Sequence, residues 1–188
     1  MRLWITAIAL CLSGCVAPSV TKPLGTPLEQ PSLEKLTGVW QMPNGDLIKI
    51  KNVERQLYFG VLQFDENERT FKAQTLEGII TTNADRKFLF VCGTGKTDEY
   101  FFSEVTQLGD DVITLRSPDP ETFRQGVKEG KISGEIVTEK FREKEYERAR
   151  IDADEDAFFA FLAEKGSDAC FPPSSEQTYR RLKDSSSP

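Results

Sequence analysis

The residues able to do chemistry in this chain are bounded first by an absence: its 188 residues include no histidine. That removes Ser-His-Asp and Cys-His nucleophiles, histidine metal sites and the usual general base near neutral pH. Carboxylates, lysines, tyrosines or cysteines would have to carry any reaction. Gly93-Thr94-Gly95-Lys96-Thr97 has the end of a phosphate-binding loop, but the full spacing needs a glycine where Phe90 stands. Tyr100-Phe101-Phe102 then continues as a strand where that motif requires a helix, so a hairpin turn is the better reading. Asp152-Ala153-Asp154-Glu155-Asp156 starts like a calcium loop, yet Ala157 and Ala163 stand where the loop needs Gly and Glu. Acids at a helix start are explained by capping and the macrodipole. Asp65, Glu66, Glu68, Asp110 and Asp111 fall in turns, with no spacing that would hold two carboxylates across a cleft. These motifs yield no catalytic residue, no metal ligand and no cofactor, and no enzyme is expected.

The N-terminus is more informative. Arg2 precedes an apolar run, Leu3–Leu12, and small residues follow at Ser13 and Gly14. That is the layout of a secretory signal. The run is shorter than the ~20 residues a spanning helix needs. Leu12-Ser13-Gly14-Cys15 resembles the lipobox of bacterial lipoproteins. The resemblance implies removal of residues 1–14, a diacylglyceryl thioether on Cys15 and an N-acyl chain such as palmitate on the new terminus. Several acyl chains anchor stably where one is marginal, at about 0.8 kcal/mol per buried CH₂. Val16 stands where Asp would favour inner-membrane retention. The same resemblance therefore implies the outer membrane, with the protein facing the periplasm. Residues 16–32 hold four prolines and little periodicity, and predict an extended tether that lets the domain stand off the membrane.

Cys92 and Cys170 remain after processing. In an oxidising compartment they are expected to pair as a disulfide, worth ~4 kcal/mol in the chain-entropy picture for so long a loop. Two buried free thiols are the alternative, because Cys92 sits in an apolar strand. A catalytic thiol is not expected without a histidine or a Cys-x-x-Cys pair. The net charge of −6 argues against nucleic acid as a partner.

From residue 33 the pattern turns β. Strands are predicted over 37–42, 47–52, 56–64, 70–82, 87–92, 99–107 and 111–116, joined by turns such as Pro43-Asn44-Gly45-Asp46. Helices are predicted over 120–129, with Asp119 as cap and Gly130 as stop, and over 155–165, between Asp154 and Gly166. A hairpin, 133–140 with 145–151, lies between them, a last strand covers 178–183, and 184–188 form a disordered tail. The fold class is mainly β (α+β): one domain over 33–183, an antiparallel meander closing into a small barrel or sandwich with two short accessory helices. Gly38-Val39-Trp40 resembles the Gly-x-Trp opening of lipocalin-like barrels, where the Trp packs across the barrel floor and the fold often carries hydrophobic ligands. The stretches 111–134 and 150–171 resemble uncharacterised Gram-negative lipoproteins, which implies fold and location but no activity.

Thirteen phenylalanines must be housed. Trp40, Phe59, Phe88, Phe90, Phe101 and Phe102 are the candidates to fill the core or line a ligand cavity. Adjacent Phe101-Phe102 and Phe158-Phe159 cannot both face inward in a half-buried element, so an exposed aromatic surface is expected. The resulting reading is a membrane-anchored, non-catalytic binding or scaffolding domain. Its partners would be membrane lipid through Cys15 and another envelope protein. The alternative is a lipocalin-like carrier or sensor of a small hydrophobic ligand.

Overall fold

A computed structural model describes residues 17–65, 69–96, 98–141 and 144–183. Alternating apolar residues build a continuous antiparallel run: β3 (Gly38–Gln41), β4 (Leu47–Val53), β5 (Gln56–Asp65), β6 (Thr70–Asn83), β7 (Arg86–Gly93), β8 (Tyr100–Leu108) and β9 (Val112–Arg116). Each pairs with the next. The last strand, β12 (Glu176–Arg181), slots between β9 and β3 and closes an eight-stranded barrel. The meander therefore needs its C-terminus to complete the wall.

Between β9 and β12 the chain leaves the barrel. It forms α2 (Pro120–Lys128), the hairpin of β10 (Gly134–Phe141) and β11 (Lys144–Ile151), α3 (Glu155–Lys165) and the short α4 (Ser167–Cys170). The caps are those expected: Asp119 accepts from the Thr122 amide at 2.7 Å and Asp154 from the Ala157 amide at 2.8 Å. Gly130 and Gly166, at φ 68° and 83°, end the helices in a conformation that L side chains avoid. Gly126 is small for a packing reason: a Cβ there would lie 2.5 Å from the Phe161 ring.

This excursion folds back onto the outside of the barrel, giving two apolar layers that share one wall. Trp40, Ile48, Ile50, Leu57, Phe59 and Leu89 face the lumen. Phe88, Phe90, Phe102, Phe123, Phe158 and Phe171 fill the space between the outer face of β7–β8 and the helices. The exposed aromatic surface expected from adjacent phenylalanines is therefore absent at these positions. Phe102 is buried under the helices, while Phe101 is half-buried against the lumen cluster. A strand covered on both sides buries both residues of such a pair, a reading that half-buried alternation does not allow.

The N-terminal segment also departs from expectation. It is built into the wall and is no extended tether. β1 (Ser19–Val20) runs antiparallel to β8 and parallel to β11, stitching the hairpin to the barrel. β2 (Thr26–Pro27) pairs with β6, and Val20 and Leu24 are buried in the outer layer. The helix α1 (Gln30–Glu34) then places Leu33 and, just beyond it, Leu36 over one end of the lumen. Prolines misled here because the segment binds by irregular edge pairing, which has no periodic signature.

Candidate functional site

The lumen is the first place a ligand could sit. Its lining is apolar: Leu36, Trp40, Ile48, Ile50, Leu57, Phe59 and residues of the facing strands. The void inside is about 30 Å³. That admits about one or two waters and is a fifth of the ~150 Å³ apolar cavity that accepts benzene. Trp40 closes one end, its Nε1 donating to the Leu36 carbonyl at 2.8 Å. The Arg181 guanidinium lies 4.5 Å from the Trp40 ring centroid. The same guanidinium donates to the carbonyls of Lys35 and Thr37, so that end is sealed by backbone as well as side chains.

Two further arginines repeat this use of a cation on an aromatic face. Arg86 lies 5.0 Å from the Phe88 ring and 5.6 Å from Phe171. It pairs with buried Glu104 at 2.8 Å and donates to the Ser167 hydroxyl, fastening α4 to the barrel. Arg148 is buried near the Phe101 ring and bridges Glu99 at 2.6 Å and Glu139 at 2.7 Å. It also donates to the Ser19 hydroxyl at 2.7 Å, which fixes β1. Burial works against the Arg148 charge, but its bonds to Glu139 and Glu99 outweigh that and hold its pKa above the ordinary value. Nothing in the sequence distinguishes these three cations from solvent-facing ones. Each is employed in holding a segment in place.

The acidic motifs are spent similarly. Asp152 accepts from the Thr21 hydroxyl and Glu155 from the Gly25 amide, tying the N-terminal segment to the start of α3. Asp110 and Asp111 pair with Lys35 and Lys183, at 3.6 Å in each case. Glu66, Glu68 and Thr97 lie outside the described residues, as does Cys15. The Gly93–Lys96 stretch is a turn closed by the Lys96 amide on the Gly93 carbonyl. Among the described residues no group of three acidic, Cys or His side chains is placed to hold a metal. An open polar cleft of about 310 Å³ beside β10 is lined by Thr21, Glu135, Arg150 and Asp152, which are already paired with one another.

Cys92 and Cys170 correct the expected disulfide: both are buried free thiols. Phe88, Phe90 and Cys92 follow one another along one face of β7. The ring of Phe171, next to Cys170, sits 5.9 Å from that of Phe88. Four strand residues place Cys92 about 13 Å beyond Phe88. A disulfide needs Cα atoms roughly 6 Å apart. Burial, then the Glu77 charge, raises the Cys92 pKa, with a Tyr100 hydrogen bond opposing. Burial pushes Cys170 up to about 11 from an ordinary 9.0, against the pull of Arg86 and Lys165.

A raised thiol pKa means the folded state keeps a proton that the unfolded state loses. The stabilisation is complete below pH 9.0 and disappears as pH rises through about 11. Urea unfolding of reduced protein should thus show stability falling by about 2–3 kcal/mol over that range from this group. Cys170→Ala should flatten that part of the profile. An unchanged profile would place the thiol in water.

The large exposed apolar residues among those described include Leu47, Leu62 and Phe71. Leu47 stands opposite Leu62, and Leu62 opposite Ala73, on the outer face of β4–β5–β6. Phe71, 64 % exposed, lies two residues further on the same face. No protein-family model, curated protein or solved structure matches this chain. The fold defines a β-barrel of a kind compatible with a binding domain.

Proposed function

We propose that this chain is a lipoprotein of the cell envelope, held by acyl chains on Cys15 at the outer membrane and facing the periplasm. Its barrel serves as a non-catalytic scaffold that works through its outer surface. The observation that supports a surface role over a container is the filled lumen, with its void of about 30 Å³. The consumption of Arg86, Arg148 and Arg181 in structural contacts is consistent with it. The face carrying Leu47, Leu62 and Phe71 is where an envelope protein partner would meet it. The carrier reading keeps the wholly apolar lining in its favour.

One experiment addresses both. Wild-type protein should fractionate with membranes, and Cys15→Ser should release it. The released chain should give a clean apo mass by native mass spectrometry. Membrane fractionation of the Ser variant would remove Cys15 as anchor, and a reproducible small-molecule adduct would favour the carrier.

A further inference from the structure

An anchored domain can hang from a leash or rest on the membrane, and here the leash is missing. The chain is already buried at Ala17, which is 4 % exposed, and Pro18, Ser19 and Val20 are buried behind it. Ser19 faces Phe101 of β8 on one side and Arg150 of β11 on the other. Its hydroxyl accepts from Arg148 and donates to Glu99 at 2.9 Å. The Thr21 amide bonds the Ile151 carbonyl. One residue, Val16, separates Ala17 from Cys15, so two extended residues bridge them over at most about 7 Å. A free tether of residues 16–32 would reach roughly 55 Å.

Resting on the reading that Cys15 carries the lipid, we infer that the barrel is seated directly on the bilayer by one fixed face. Strand register names that face. β1 runs antiparallel to β8, so the chain upstream of Ser19 lies on the Glu104 side of Phe101, where β9 ends by pairing Arg116 with Glu104. β1 runs parallel to β11, so the same upstream residues lie on the Arg148 side of Arg150, towards the tip of the β10–β11 hairpin. The lipid therefore emerges at the seam between the end of β9 and this hairpin. Arg116, Glu139, Lys144 and Tyr146 stand around it. The seam carries both signs and the chain is net acidic, so the contact is imposed by the covalent anchor and not by charge attraction. The Leu47–Leu62–Phe71 face lies across the barrel, where it points away from the lipid and is open to a partner.

The test uses full-length, processed protein in phosphatidylethanolamine–phosphatidylglycerol vesicles containing a headgroup quencher. Cys92 and Cys170 are buried, so a fluorophore can be placed selectively through Lys144→Cys at the seam or Lys49→Cys on β4. The seam label should be quenched several-fold more than the β4 label. Inserting about twelve Gly/Ser residues between Val16 and Ala17, which adds roughly 20 Å of reach, should bring the two together. Equal quenching without the insertion would overturn the seated orientation while leaving the anchor intact. Labelled protein that fails to float with vesicles would overturn the anchor, and the inference with it.

Discussion

A chain beginning at Leu33 should unfold in urea far earlier than one beginning at Ala17. The first sixteen described residues supply three strand pairings that no other segment replaces, β1 with β8, β1 with β11, and β2 with β6. They donate the Leu28 amide to the Ile80 carbonyl and offer the Leu24 carbonyl to the Thr81 hydroxyl, so their loss removes both bonds from the edge of β6. Val20 and Leu24 come out of the outer layer. Burial of two such side chains is worth about 3–6 kcal/mol. Removing Ser19 also leaves Arg148 short of one acceptor in a buried site, a further cost of ~1–3 kcal/mol. Against a typical domain stability of about 5–15 kcal/mol, that is most of the margin. The measurement is the urea midpoint of the two chains under identical conditions. Equal midpoints would show the segment to be an appendage.

The strands were legible because their alternation is strong and their turns carry Asn-Gly, Gly-Asp and capped helix starts. Lys87–Cys92 is the informative case. Its unbroken apolar run is the mark of a strand buried on both faces, and β7 has the lumen on one side and Phe171 on the other. A last strand and a closing meander were legible, but that β12 closes the wall between β9 and β3 was not, because pairing partners distant in sequence leave no local pattern. Nor was the fate of residues 17–29, whose packing relies on single side chains and backbone edges. Trp40 is where Gly38-Val39-Trp40 suggested, across one end of the barrel, but the ring of Arg181 contacts that seals it comes from the far end of the chain. Arg86, Arg148 and Arg181 look like any surface cations until the fold surrounds them.

Phe102→Ala should be among the most damaging single substitutions, and its neighbour Phe101→Ala much less so. Phe102 is the hub of the outer layer. Its ring meets Phe123 at 5.3 Å and Phe158 at 5.7 Å, both edge-on, and Phe90 and Phe171 at 6.1 Å. Those rings come from α2, α3, β7 and the residue following α4, so one side chain joins the helices to the barrel wall. Truncation leaves a cavity that rigid strands cannot fill, costing about 3–5 kcal/mol. Phe101, half-buried and facing the lumen cluster, has less to lose. The thiols report where the loss falls. Cys170 sits in the helical layer and Cys92 on the barrel wall, both buried. Alkylation of Cys170 in the Phe102→Ala protein should accelerate well before that of Cys92, because local opening is cheapest where the hub was removed. Equal acceleration of both thiols would mean that barrel and helices open together. Equal destabilisation by the two substitutions would mean that β8 does not separate two layers.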